Sequence, residues 1–162
     1  MNKPNVTIEN IEMKVIYIRF KGTYVAFRKE SKKMFKELFD FAKNNDLIVE
    51  GKTKVLTIYH DNHFITDQKN LKMSVAMTIP KSAKVTEEGR ICSMEFAGKY
   101  GVLHYDIKLN EYEKAWEYAY QDWLFKDSKE KPRDNFPFEL YVTEPPRNLK
   151  NTSLTDIYIP IE

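Results

Sequence analysis

PFELYVT at residues 137–143 and LTDIYIPI at residues 154–161 are two short runs rich in β-branched and aromatic residues. The loop between them carries Pro145-Pro146, so they read as two consecutive strands. The same pattern occurs earlier, as TKVLTIYH at 53–60 and LKMSVAMTI at 71–79, separated by the polar stretch Asp61–Asn70 and closed by Pro80. Ile58-Tyr59 recurs as Leu140-Tyr141, an offset of 82 (140 − 58), and Ile79-Pro80 as Ile159-Pro160, an offset of 80 (159 − 79). Each strand pair follows an amphipathic helix and an earlier strand. The first helix is expected at about 28–44, with Met34, Phe35, Leu38, Phe39, Phe41 and Ala42 on its apolar face. Lysines in the stretch Lys29–Lys36 form its solvated face. The second helix should open near Asn110, which has Glu113 at capping-box spacing, and bury Tyr112, Ala115, Trp116, Ala119, Tyr120, Trp123 and Leu124. Strands at 11–20 (IEMKVIYIRF) and about 90–105 precede the helices, with a break expected at Gly98–Gly101. Phe20-Lys21-Gly22-Thr23-Tyr24 and Phe96-Ala97-Gly98-Lys99-Tyr100 match at an offset of 76 (98 − 22), and the helix faces at 77 (112 − 35). Those matches place Gly22 and Gly98 at equivalent turns.

The resulting expectation is an α+β fold of two β-α-β-β units, about 8–82 and 88–162, within one domain. A unit with one helix and three strands is too small to bury both sheet faces alone. Two units related by a pseudo-two-fold axis, with an antiparallel sheet, two main helices and a central cleft, solve that problem.

Composition narrows the function. The chain has 162 residues, 42% hydrophobic and 31% charged, which excludes a disordered tail and a helical membrane protein. Lys+Arg number 26 against 24 Asp+Glu, a balance that argues against direct nucleic-acid binding. The polar start Met1-Asn2-Lys3-Pro4-Asn5 lacks a signal-peptide core, so a cytoplasmic protein without membrane attachment is expected. Asn5-Val6-Thr7 is then a chance glycosylation match. The single cysteine, Cys92, cannot form an intramolecular disulfide and reads as a small core residue. His60-Asp61-Asn62-His63 has no third partner at metal spacing. Metal and cofactor are both expected to be none. Ten Tyr, ten Phe and two Trp make the aromatic share 14%. Aromatics are ordinary core filler, but tyrosine suits a dry core less well, because each buried hydroxyl needs a partner; composition alone fits either core filler or a wet aromatic concavity.

From the turn at Phe96–Tyr100 through Tyr112, Trp116 and Trp123-Leu124 to PFELYV and TDIYIPI, the second half resembles the gyrase-inhibitor-like (GyrI-like) small-molecule-binding domain family. The first half fits through Gly22-Thr23-Tyr24, Tyr59-His60-Asp61 and Leu71–Pro80, so the resemblance covers almost the whole chain. That family includes effector-binding domains of AraC-type and MerR-type multidrug regulators and stand-alone proteins of about this length. The resemblance implies a duplicated β-α-β-β fold whose cleft takes amphipathic cationic or aromatic small molecules. It implies Glu139 as the anchoring charge and Tyr141, Asp156 and Tyr158 as pocket positions, with the helix aromatics falling near Tyr112 and Trp116. The helix-turn-helix that precedes the domain in the regulators has no counterpart in these residues.

Read from the residues alone, Glu139, Tyr141 and Thr143 share one strand face, and Phe138, Leu140 and Val142 the other. A carboxylate alternating with bulky apolar residues ordinarily faces solvent. Tyr141 beside it makes the carboxylate-plus-aromatic pairing that a flat cation uses. Asp156 and Tyr158 repeat that spacing, although Asp156 next to Thr155 equally suits turn chemistry. Trp116 and Tyr120 lie on a helix stripe whose default is packing.

Three functions follow from the resemblance. The first is a sensor or sequestering protein for aromatic cations. The second is a hydrolase opening cyclopropane-bearing DNA-alkylating compounds, with Glu139 as catalytic residue orienting a water. The third is contact with a protein partner, DNA gyrase or a regulator. An acidic loop would carry a gyrase contact, and Lys126–Asn135 is mixed in charge.

Overall fold

The computed structural model describes every residue except 63–64, so the His63 end of the histidine-rich motif lies outside the described residues. The chain forms two compact units: residues 12–97, and residues 1–11 together with 98–162. In chain order the elements are β1 (Asn5–Lys21), α1 (Tyr24–Asn44), β2 (Val55–Tyr59), β3 (Lys72–Ile79), β4 (Ile91–Lys108), α2 (Tyr112–Glu117), β5 (Phe138–Tyr141) and β6 (Thr152–Pro160). A 3₁₀ turn, Leu109–Glu111, leads into α2, and a π-helical segment, Tyr118–Asp127, continues it. Among the described residues no helix is long and apolar enough to cross a membrane.

In the unit of residues 12–97, β3 pairs antiparallel with both β1 and β2. Helix α1 starts at once after the Gly22 break because Thr23 caps it, its hydroxyl accepting from the Ala26 N–H at 3.2 Å. The helix therefore begins four residues before the expected position. It buries Phe27, Met34, Leu38, Phe41 and Ala42 against Ile16, Ile18, Val75 and Met77. Phe39, expected on that face, is 48% exposed; one residue past Leu38 the helix has turned by about 100° toward solvent. The opposite sheet face is buried too, at Val15, Leu56, Ile58, Ser74 and Ala76. Cys92 is only half-buried, not a core residue, and lies against Tyr17, whose phenol is raised by burial first and then by Cys92.

His60 ends this sheet, with Nε2 2.6 Å from Ser74 Oγ. Burial, and then the charge of Arg19, push its imidazole from 6.5 down to about 4. The folded state thus refuses a proton that the unfolded chain takes up below about pH 6.5. This contribution to stability is complete above that pH and is lost as pH falls toward 4. Full linkage over such a window would be worth about 3 kcal/mol, which partial exposure reduces to about 2. Urea unfolding at pH 7.0 and 4.5 should show that loss, and His60→Gln should flatten the difference between the two pH values. An unchanged pH dependence in the variant would contradict the assignment.

In the other unit β6 pairs antiparallel with β4 and β5. The strand order β4-β6-β5 repeats the order β1-β3-β2, as a duplicated β-α-β-β fold requires. The registers correct the expected equivalence of the two glycines. Ile79 faces Lys14 and Ile159 faces Gly101, so the first strands correspond at an offset of 87 (101 − 14). The strand ends Lys21 and Lys108 agree with it. The strand-end landmarks hold, but by this register Gly22 corresponds to Leu109 and not to Gly98. Gly98 lies inside β4, which runs unbroken. Its φ of +112° and the Arg133 guanidinium, 2.9 Å from where a Cβ would stand, explain the glycine better than a turn does.

The α2 start is also capped differently from expectation. Glu111, not Glu113, reaches back, accepting from the Lys108 N–H at 2.8 Å. The helix is α-helical for only six residues, after which bonding shifts to i→i+5 spacing, ending with Ser128 N–H donating to the Trp123 carbonyl at 2.7 Å. Ala115, Ala119, Trp123 and Leu124 pack on Leu103, Tyr105, Ile107, Ile157 and Ile159. The expected apolar stripe survives the change of helix type.

Candidate functional site

Strand β5 is four residues long and buried on both faces: Phe138 is 0%, Glu139 2% and Leu140 6% exposed. The solvent-facing reading of Glu139 is therefore excluded. The registers sort the side chains by face. Glu139 lies opposite Ile157 and Tyr141 opposite Thr155, on the α2 side of the sheet. Phe138 lies opposite Tyr158 and Leu140 opposite Asp156, on the other side.

On the α2 side Glu139 is held by two aromatic donors. Trp116 Nε1–H donates to Oε1 at 2.7 Å and Tyr141 O–H donates to Oε2 at 2.7 Å. Next to them Tyr112 Oη lies 2.8 Å from Thr155 Oγ1. The Tyr112 phenol is pushed up to about 12 by burial, against the lowering effect of the Thr155 bond and with a further rise from the Glu139 charge. Burying a carboxylate costs several kcal/mol unless it is compensated, and here both carboxyl oxygens accept a hydrogen bond from an aromatic side chain.

Four of the expected site residues, Tyr112, Trp116, Glu139 and Tyr141, are thus brought together. Asp156 and Tyr158 are not: they belong to the opposite sheet face. Tyr158 stacks on Phe138 (4.5 Å, 12°) and meets Tyr100 edge-on. Its phenol is raised to about 12 by burial, then by Glu9 and Asp156. Asp156 Oδ1 is 2.9 Å from His104 Nδ1, and His104 Nε2 is 2.9 Å from Thr7 Oγ1. The acid-x-aromatic spacing on β6 therefore repeats that on β5, but one strand is displaced by a residue relative to the other. His104 and Thr155 escaped the sequence reading. Both alternate correctly within their strands, yet only the register shows which residue stands opposite them.

The remaining feature of this face is a run of aromatic rings. Trp116 stacks with Tyr120 (6.2 Å, 21°), and Tyr120 with Phe125 (6.4 Å, 29°). The Tyr120 phenol is raised to about 12 by burial and then by Tyr100, while Phe125 is 67% exposed.

The chain is similar in fold to the C-terminal domain of EcmrR, at 19% identity and a TM-score of 0.75, covering 98% of each chain. It spans 57% of the EcmrR chain seen in a complex with DNA, with the same identity and TM-score. A hydrolase encoded by lin2189 from Listeria innocua aligns over 99% of this chain and 93% of its own, at 11% identity and a TM-score of 0.68. SAV2435, in a structure bound to tetraphenylphosphonium, aligns over 98% of this chain and 94% of its own, at 12% identity and a TM-score of 0.59. Curated proteins give no sequence match. The family profile of the GyrI-like small molecule binding domain matches residues 4–162, and the chain belongs to that family.

Proposed function

We propose that residues 4–162 act as one domain that binds amphipathic aromatic cations at Glu139, as a cytoplasmic sensor or sequestering protein. The observation that carries this reading is the Glu139 carboxylate, 2% exposed and bonded by Trp116 and Tyr141. A planar or aryl cation gains from the charge and from the flanking rings together. Tyr112, Trp116 and Tyr141 supply the aromatic wall; Asp156 and Tyr158, on the other sheet face, are left out of it. The tetraphenylphosphonium complex of SAV2435 supports the ligand class. Because Glu139 is 2% exposed, a cation that reaches it perturbs the Trp116 bond to Oε1, and the indole is the fluorophore that reports the event.

Titration of tryptophan emission with an aromatic cation tests the proposal. Glu139→Gln should weaken the cation more than tenfold, which is about 1.4 kcal/mol, while a neutral aromatic analogue loses much less. Equal losses for both would mean that Glu139 supports the fold and does not read charge.

A second reading is hydrolysis, favoured by the structural neighbour described as a hydrolase. Glu139 would then orient a water against a strained ring. Incubation with a cyclopropane-bearing alkylator and mass spectrometry separates the two: ring-opened product beyond one equivalent supports turnover, and its absence with retained binding supports the first reading.

A further inference from the structure

From the continuity of the ring stack with the buried carboxylate, we infer that Trp116, Tyr120 and Phe125 form an outer binding subsite, which selects elongated aromatic cations over compact ones. The inference rests on the Glu139 reading above and extends it outward. The stack begins at Trp116, whose indole N–H is bonded to Glu139 at 2.7 Å. It continues through Tyr120 at 6.2 Å and ends at Phe125 a further 6.4 Å on, with interplanar angles of 21° and 29°. One end is a carboxyl group on a residue 2% exposed and the other a phenyl ring on a residue 67% exposed.

The helix type makes the stack. Trp116 and Tyr120 are four residues apart, the normal spacing for one α-helical face. Tyr120 and Phe125 are five apart, and in an α-helix Leu124 would stand there instead. The π-helical segment, with its i→i+5 bonding, moves Phe125 into line below Tyr120 and leaves Leu124 buried at 1% exposure. A ten-residue π-helical segment is rare, and such geometry concentrates at functional sites. Here its consequence is an exposed phenylalanine in line with the ring that bonds a buried carboxyl group.

The geometry also sets the mode of contact. A ring inserted between two others needs about 7 Å between their planes, twice the van der Waals separation of about 3.5 Å. The rungs are closer than that, so a ligand lies along the open edges and faces of the stack, its charged end toward Glu139 and its distal ring system on Tyr120 and Phe125. A compact cation fills the inner position alone. An elongated cation engages both positions through one molecule, so the outer contact adds affinity without a second loss of translational freedom.

The test uses two probes: a cyanine dye carrying two aromatic ring systems on a polymethine bridge, and N-methylquinolinium, which keeps the charge and one ring system. Both are titrated against the wild type, Phe125→Ala, Phe125→Tyr and Glu139→Gln. The expected result is a three- to tenfold weaker cyanine with Phe125→Ala, unchanged N-methylquinolinium, and wild-type behaviour for Phe125→Tyr. Phe125→Ala with no effect on the cyanine, while Glu139→Gln weakens both probes, would overturn the subsite and leave the Glu139 reading intact. Equal weakening of both probes by Phe125→Ala would also overturn it, because the phenyl ring would then act through the helix. Insensitivity of both probes to Glu139→Gln would overturn the Glu139 reading itself.

Discussion

Gly101→Val should destabilise the protein by about 3 kcal/mol, the upper range for overpacking a filled core. A Cβ at position 101 would collide with the tip of the Trp123 six-membered ring, closest to Cη2 and 2.7 Å from Cζ3 and 3.1 Å from Cζ2. Trp123 is 8% exposed and belongs to the π-helical segment, so the indole cannot swing into solvent without lifting that segment from β4. For a chain of this size, 3 kcal/mol is about 6–12 °C in Tm. Thermal unfolding followed by circular dichroism checks it. The cause is separable by a double-mutant cycle: in a Trp123→Ala background the cost of Gly101→Val should fall by more than half. A full-size cost in that background would place the clash elsewhere.

Arg133→Ala should cost about 2–3 kcal/mol. Arg133 Nε–H donates to the Ile161 carbonyl at 3.0 Å and its Nη2–H to the Lys99 carbonyl at 3.1 Å. The guanidinium also lies 5.0 Å from the Tyr100 ring centroid. Hydrogen bonds from a charged donor contribute about 1.5–3 kcal/mol each, and a partly exposed cation–ring contact about 0.5–1. These terms share one side chain and do not add in full. Around them Arg133 N–H bonds Pro160, Ile161 N–H bonds Lys99, and Glu162 N–H bonds Lys131. The segment after the π-helix is therefore strapped to the end of β6, with Arg133 as its main anchor. Urea unfolding of Arg133→Ala and Arg133→Lys measures the effect. Lysine should recover little, since it replaces a planar fork with a single point of donation. Full recovery by lysine would show that charge alone is needed.

The strand pairs and both helices were legible because their signals are local. Ile58-Tyr59 and Leu140-Tyr141 end β2 and β5, and Ile79 and Pro160 close β3 and β6, where alternation and proline say they should. Glycine misled, because sequence does not distinguish a glycine that permits a turn from one that admits a neighbour. Gly98 and Gly101 admit Arg133 and Trp123 from 35 (133 − 98) and 22 (123 − 101) residues along the chain, roughly the span of a supersecondary unit. Capping chemistry was not legible at either helix: Thr23, read as part of a turn, caps α1, and at α2 the reciprocal pair Lys108/Glu111 lies two residues before the expected Asn110/Glu113.

Of the site, Glu139, Tyr141, Trp116 and Tyr112 were placed together by resemblance, and the geometry gives a physical reason in two hydrogen bonds and a shared sheet face. Asp156 and Tyr158 looked equivalent to Glu139 and Tyr141 because the spacing is the same. Register, which no single strand encodes, turns them to the other face. Phe125 was invisible for a different reason: its alignment with Tyr120 requires i→i+5 helix geometry, and α-helical periodicity assigns it to another face.

The central claim, that Glu139 reads positive charge, is tested most directly by two ligands of one shape and opposite sign. Tetraphenylphosphonium and tetraphenylborate carry the same four phenyl groups, so pocket shape and apolar burial nearly cancel between them. The wild type should bind the cation at least 100-fold more tightly than the anion, and Glu139→Gln should narrow that ratio by more than tenfold, chiefly by weakening the cation. Comparable affinities of the wild type for the two ions, or a ratio that Glu139→Gln leaves unchanged, would contradict the account.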